Sequence, residues 1–300
     1  MNLLQTREAL LCKGKDYESA KSHMIEYNNV LFEYAELLTK NDAVDSISIR
    51  SGKIIVKMCK FPVSYYLTNE IEFGIIPSGI ATGSFENEYA LKMVSMMSGK
   101  DTIIDIGANF GFYSCIAGKL FPRARIYAFE PIPKTHKMLL ENIHLNRLNN
   151  IITENYALTE PSQASEQEQK MYYSSEAPEA ASFQNIQERD TIETIDVRLA
   201  TLDDYCTREG VAPQFIKCDV EGSELFVFKG AEKVLRKYQP VIFVEILRKW
   251  CAKFGHTAND VVDFLTCCGY KMYTINNTNL EPLIKITDET IDTNFVFLPK

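Results

Sequence analysis

The chain predicts an α/β fold built on a mainly parallel sheet with helices on both faces. Three observations carry that prediction. From Thr102 onward, short continuous apolar runs alternate with helix-length segments, the pattern of strands covered on both sides. The first of these runs is followed by a glycine-containing turn, "DIGANFG". Four acidic residues, Asp105, Glu130, Asp219 and Glu245, stand at or next to the carboxyl ends of apolar runs, which buried strands normally avoid because desolvating a charge is costly.

Before that pattern begins, residues 16 to 40 place Ala20, Met24, Tyr27, Leu31, Tyr34 and Leu38 at alternating spacings of four and three. This is one apolar stripe of a helix, which packs on its own domain or pairs with a second copy as a dimer. "SISIRSGKIIVKM", residues 46 to 58, reads as a β-hairpin turning at Ser51-Gly52. Residues 1–90 are expected to form a helical and hairpin cap, and residues 91–300 the α/β domain.

Within that domain the order is strand "TIIDI", a helix near 111 to 120, strand "ARIYAFE", helix "IPKTHKMLLENIHLNRL" and strand "IITENYAL". It resumes with strand "QFIKCDV", helix "ELFVFKGAEKVLRKY", strand "PVIFVEIL", a helix near 258 to 268, and strands "YKMYTI" and "NFVFLP". Between the two blocks lies a polar, acidic insertion, 159–189, whose composition predicts a loop or lid beside the site, or an exposed insertion. From Glu160 to Asp196 nine acidic residues face only Lys170 and Arg189.

The net charge of −8 argues against nucleic acid as the main partner, because nonspecific affinity for a phosphate backbone comes from basic residues. The eight cysteines form no C-x-x-C pair and several sit in apolar runs, as buried thiols of a reducing compartment do. No run approaches 18 apolar residues, so a cytoplasmic protein without membrane insertion is expected.

In an open parallel sheet, ligands bind at the carboxyl ends of the strands. Gly107 and Gly111 are spaced G-x-x-x-G, without the G-x-G-x-x-G that brings backbone against a pyrophosphate. Glu130, nineteen residues beyond Gly111, can accept both hydroxyls of a ribose. The pair asks for a nucleoside without phosphates, a demand S-adenosylmethionine meets and NAD does not.

The ordered combination "IIDIGANFGFYS", "YAFEPIP", "NYAL", "LATLDDY", "FIKCDVEGSELFVFKGA" and "PVIFVEI" resembles the FkbM family of S-adenosylmethionine-dependent methyltransferases. The resemblance covers roughly residues 80 to 275. It implies a Rossmann-like class I methyltransferase fold, a seven-stranded, mostly parallel sheet with helices on both faces and a reversed last hairpin. It also implies O-methylation of a hydroxyl on a sugar, glycan or secondary metabolite, so the partner is a small-molecule or carbohydrate acceptor. Carried onto this chain, it places Asp105, Gly107, Asn109 and Gly111 around the methionine part, Glu130 on the ribose and Asn155 near the adenine. Glu86, in "TGSFENEYA", would lie near the cofactor or acceptor.

Methyl transfer to a hydroxyl also needs a proton acceptor, and Asp219, Glu221 and Glu245 are the available carboxylates. The same three could hold Mg²⁺, which favours oxygen ligands. Glu224 is expected instead to favour the start of the following helix. His136 and His144 lie too far along their helix, and His256 lies in a loop. "RKWCAKFGHTAND", residues 248 to 260, offers either a sugar-binding wall around Trp250 or a packed loop. Competing functions are an N-methyltransferase of the same fold, a nicotinamide dehydrogenase, and a cofactor-binding module without turnover.

Overall fold

The computed structural model describes residues 3–12, 15–39, 44–67, 87–164, 168–174, 181–185, 192–276 and 279–300. Two helices, α1 (Leu3–Cys12) and α2 (Tyr17–Thr39), precede a three-stranded antiparallel sheet of β1 (Val44–Arg50), β2 (Lys53–Met58) and β3 (Ser64–Leu67). The β1–β2 hairpin closes Arg50 onto Lys53 through Ser51 and Gly52, both at positive φ, the geometry whose twist matches the flanking strands. Along α2 the apolar stripe is only partly used: Ala20 is buried and Met24 and Tyr27 are half-buried, but Leu31 is exposed. The Tyr34 and Leu38 side chains lie outside the described ones.

The main sheet has eight strands, ordered β13-β12-β14-β11-β10-β4-β5-β6. They are β4 (Thr102–Ile106), β5 (Arg125–Phe129), β6 (Ile151–Glu154), β10 (Phe215–Cys218), β11 (Val241–Glu245), β12 (Tyr270–Asn276), β13 (Asn279–Pro282) and β14 (Asn294–Pro299). Strands β6, β5, β4, β10 and β11 run parallel, while β14 is antiparallel to both β11 and β12. This is the seven-stranded arrangement with its reversed last hairpin. The short β13 adds an edge strand to it. Apolar clusters fill both faces of the sheet, as parallel strands covered by helices require.

Helix α3 (Asn87–Met97) precedes β4 without having been expected, whereas α4 (Phe112–Leu120) and α5 (Pro133–Leu145) follow the expected order. The N-terminal sheet shares their core: Met58, Phe61, Val63 and Tyr65 are buried in the same cluster as Ile103, Phe110 and Phe112. Tyr65 Oη donates to Phe112 O at 2.8 Å. Asn142 on α5 accepts from Tyr66 N at 3.0 Å and donates to Phe110 O at 2.9 Å, so one side chain ties β3 to the glycine turn.

Three expectations need correction. The single strand expected over "IITENYAL" is split: only Ile151–Glu154 joins the main sheet, and Ala157–Leu158 pair in a separate three-stranded sheet. The described parts of the acidic insertion are not a loop: after the short α6 (Pro161–Ala164), β8 (Glu168–Ser174) pairs antiparallel with β9 (Ile192–Ala200), which pairs in parallel with β7 (Ala157–Leu158). Composition hid this because few large side chains bury one face, with Met171 and Phe183 packing on Ile132, Ala157 and Val197, while the ladder partner β9 extends beyond the polar segment. The helix expected over "ELFVFKGAEKVLRKY" is split. After α7 (Leu202–Glu209) come α8 (Glu224–Lys229) and α9 (Glu232–Tyr238). The break sits at Gly230, where a Cβ would stand 1.9 Å from Thr159 O. Asp203 then caps α9 by accepting from Lys233 N and Val234 N.

Helices α10 (Arg248–Lys253) and α11 (Ala258–Cys267) lie between β11 and β12, the latter opened by a capping box between Thr257 and Asp260. Five of the eight cysteines are buried and all are free thiols. Among the described residues no helix is long and apolar enough to cross a membrane.

Candidate functional site

A pocket opens at the carboxyl ends of β4, β5, β10 and β11, where an open parallel sheet binds its ligands. Its floor is the turn after β4. Gly107 N and Ala108 N both donate to Phe129 O, and Gly107, at φ +74°, lies so close to β10 that a Cβ would stand 1.8 Å from Asp219 O. Asn109 also adopts the left-handed region, at φ +52°. Asn109, unlike most residues, tolerates it. Its Oδ1 accepts from Phe110 N at 2.7 Å.

Glu130 lies in the pocket wall, 5% exposed. Its Oε2 accepts from Asn109 N and its Oε1 from Ile132 N, both at 2.9 Å. Burial raises its pKa to about 7, against the pull of those two amides and of Lys217. Asn155 does not line the pocket; it donates to Glu130 O and Pro131 O, each at 2.9 Å, and so braces the loop that carries Glu130. The neighbouring Tyr156, Ala157 and Leu158 form the wall instead.

Asp105 is buried beneath the turn rather than in the lining. Its Oδ2 accepts from Ser114 Oγ at 2.6 Å, and its Oδ1 has no hydrogen bond but lies 3.7 Å from Lys217 Nζ. Gly111 is also structural, since a Cβ there would meet Leu139 Cδ1 at 2.5 Å. Glu86 lies outside the described residues. Of the cofactor positions expected, the pocket therefore collects Gly107, Asn109 and Glu130 directly.

All three candidate catalytic carboxylates line it. Asp219, Glu221 and Glu245 each present a carboxylate oxygen within 4.8 Å of the others. Glu245 accepts from Thr293 Oγ1 at 3.1 Å, and Asp219 Oδ2 accepts from Lys217 Nζ at 3.2 Å. Lys217 is the residue sequence reasoning missed. It is buried, sits directly opposite Asp105 in the β4–β10 register, and also donates to Gly107 O at 3.1 Å. One ammonium thus joins the two strand ends, and its position inside the apolar run "FIKCDV" was the available signal.

Glu221 is held at φ +54°, a conformation that costs a non-glycine residue of order 1–3 kcal/mol and concentrates at functional sites. Glu224, the last acid of that turn, is buried away from the pocket lining and accepts from Gly222 N at 3.0 Å. Burial brings its pKa to about 7. It stabilises the turn rather than only the helix start. His136 and His144 lie on α5, and His256 Nε2 bonds Gly222 O at 3.1 Å; none of the three lines the pocket. Trp250 is likewise outside it, stacked beneath Lys249 with its backbone against Gly222.

The donor set suits a cationic nucleoside without phosphates. Glu130, Asp219, Glu221 and Glu245 accept hydrogen bonds and attract positive charge, whereas a pyrophosphate would meet four carboxylates and one ammonium.

The profile of the methyltransferase FkbM domain matches residues 105–272. A methyltransferase of Sordaria araneosa, sdnD, is 33% identical over 84 residues, 28% of this chain and 30% of that protein. The chain thus matches under a third of the length of this curated relative. Among solved structures, a methyltransferase FkbM from Methylobacillus flagellatus is 17% identical with a TM-score of 0.41, covering 77% of this chain and 56% of that one. A fibrillarin from Aeropyrum pernix, solved with S-adenosyl-L-methionine, is 12% identical with a TM-score of 0.38, covering 85% and 98%.

Proposed function

This chain belongs to the methyltransferase FkbM family, and from that premise we propose that it methylates a hydroxyl of a sugar, glycan or secondary metabolite using S-adenosylmethionine. The observation that carries the reading is the convergence of Asp219, Glu221 and Glu245 in the same pocket as the Gly107 turn and Glu130. Residues 91–300 would carry the reaction, and 1–90 would form the cap.

Gly107, Asn109 and Glu130 would hold the cofactor, with Asp105, Gly111 and Asn155 supporting them from behind. When bound, the cofactor supplies an electrophilic methyl group on a sulfonium. The carboxylates favour that positive charge electrostatically, and the apolar side chains Phe110, Phe112 and Tyr113 in the lining exclude water, which strengthens the attraction. Orientation of an acceptor hydroxyl in such a site can contribute roughly 7–11 kcal/mol.

We assign the general base to Glu221. Asp219, which accepts from Lys217, would orient the acceptor, with Glu245 beside it. Glu221 faces the pocket from a strained backbone, where a positioned base typically contributes about 10²–10⁴-fold. Incubation of the protein with labelled S-adenosylmethionine and a panel of sugars and hydroxylated metabolites, followed by tandem mass spectrometry, tests the reading. A methyl located on oxygen supports it; a methyl on nitrogen overturns O-transfer, and absence of S-adenosylhomocysteine binding by calorimetry overturns the cofactor.

A further inference from the structure

The insertion reaches the pocket at two places that the reaction described above does not use. Ser182 pairs with Tyr172 of β8 through both backbone bonds, at 2.7 and 3.0 Å, and this pairing brings Met171, Ala181 and Phe183 into the lining. Their neighbours in the cluster are Ile132 and Ala157. Ile132 donates its amide to Glu130, and Ala157 follows Asn155, which braces Glu130 from behind. The apolar wall therefore starts where the ribose-binding carboxylate ends, which is where the base of a nucleoside must lie.

The same short segment touches the other half of the site. Ser182 is buried, and its Oγ donates to Glu221 O at 3.1 Å. His256 Nε2 meets the next carbonyl, Gly222 O, at 3.1 Å. The left-handed Glu221–Gly222 turn is thus held from two sides by residues remote in sequence. Phe183 and Ser182 are consecutive, so the residue facing the base and the residue gripping the carboxylate turn share one backbone.

We propose that the insertion is a shared wall of the site, in which Phe183 with Met171 covers the adenine and Ser182, as a positioning residue, latches the turn that presents Glu221. This rests on the S-adenosylmethionine reading and goes beyond it by giving the insertion a role toward both substrates. A flat aromatic face on an adenine is a substantial share of nucleoside affinity. A latch through a main-chain carbonyl leaves cofactor affinity nearly untouched while it restricts motion of residues 220–222.

Calorimetry with S-adenosylhomocysteine and hydrogen exchange on the full chain test both parts. Phe183→Ala is expected to weaken S-adenosylhomocysteine binding about tenfold or more, and Phe183→Leu, which keeps most of the apolar volume, to weaken it less but measurably. Ser182→Ala is expected to bind within twofold of the parent yet to lose the ligand-induced exchange protection at amides 220–222, and Ser182→Thr to restore it. Unchanged affinity in both Phe183 variants, or undiminished protection in Ser182→Ala, overturns the proposal while the cofactor reading stands. No binding by the unsubstituted protein overturns the two together.

Discussion

The turn after β4 and the turn after β10 face each other across one pocket and are built in opposite ways. The first is held from directly around it: Gly107 is wedged against Asp219 O, its amide bonds Phe129 O, and Gly111 is pressed on Leu139. The second is held by side chains recruited from elsewhere, Ser182 from the insertion and His256 from the loop after α10, and by its own Glu224 folded back onto Gly222. Lys217 joins them by bonding Gly107 O and Asp219 together. The comparison teaches a difference of degree: a Cβ on Gly107 would stand 1.8 Å from backbone and one on Gly222 2.9 Å, so the cofactor side is the more tightly closed by sterics, while the acceptor side adds single polar contacts from Ser182 and His256.

That difference can be broken experimentally at either side. Gly107→Ala should have the largest effect. A Cβ 1.8 Å from Asp219 O at a positive φ adds overpacking to backbone strain, about 3 kcal/mol or more, so urea unfolding should show a much weaker fold and calorimetry no S-adenosylhomocysteine binding. Glu221→Gln should leave the unfolding midpoint and the affinity for S-adenosylhomocysteine, which lacks the sulfonium charge, nearly unchanged but lower kcat by about 10²–10⁴-fold. An activity loss under threefold would move the base to another carboxylate.

Lys217→Met should act on both turns at once. Removing the buried ammonium leaves Asp105 facing no counter-charge, a loss of about 3 kcal/mol readable by denaturant titration, with weaker cofactor binding in parallel.

A smaller effect follows from Glu130. Its pKa in the folded chain, about 7, stands above the ordinary 4.5 because burial disfavours the charge, so the cofactor-free fold loses stability as pH rises from about 4.5 through 7. A ribose bound by the carboxylate requires the ionised form, so S-adenosylhomocysteine affinity should move the other way, rising about tenfold from pH 6 to 8. Affinity that falls over this interval would remove Glu130 from the ribose. The smallest expected effect is that of chelation: Lys217 already provides a cation at Asp219, so exhaustive EDTA treatment should leave the methyl-transfer rate within twofold. A larger loss, restored by Mg²⁺, would show that the three carboxylates hold a metal.

The two turns also differ in how far they can be read from the chain alone. "DIGANFG" and Glu130 are close in sequence, and their spacing reports directly on the turn and strand end they build. Asp219, Glu221 and Glu245 can be placed at strand ends by the alternation of strands and helices. Their convergence within 4.8 Å depends on β10 and β11 being neighbours in the sheet, which local pattern does not encode. Asn155 and Asp105 show the converse: both stand at strand ends and contact the backbone or side chains behind the pocket, because whether a polar side chain points into a pocket or braces the loop behind it is decided by packing. The ladder within the insertion escapes local pattern for a related reason. The insertion's polar composition hides a one-faced ladder whose apolar partners, Ile132, Ala157 and Val197, lie outside it.

By itself the sequence determined the alternation of the main-sheet strands with helices, the glycine turn without a pyrophosphate motif, and the acids at the strand ends, since these follow from periodicity, backbone sterics and the cost of burying charge. Only the tertiary structure decided that Lys217 joins the two turns, that the insertion walls the pocket, and that Ser182 and His256 grip the Glu221–Gly222 turn. Such contacts bridge residues up to 110 positions apart, and no local propensity records which distant groups the chain brings within hydrogen-bond reach.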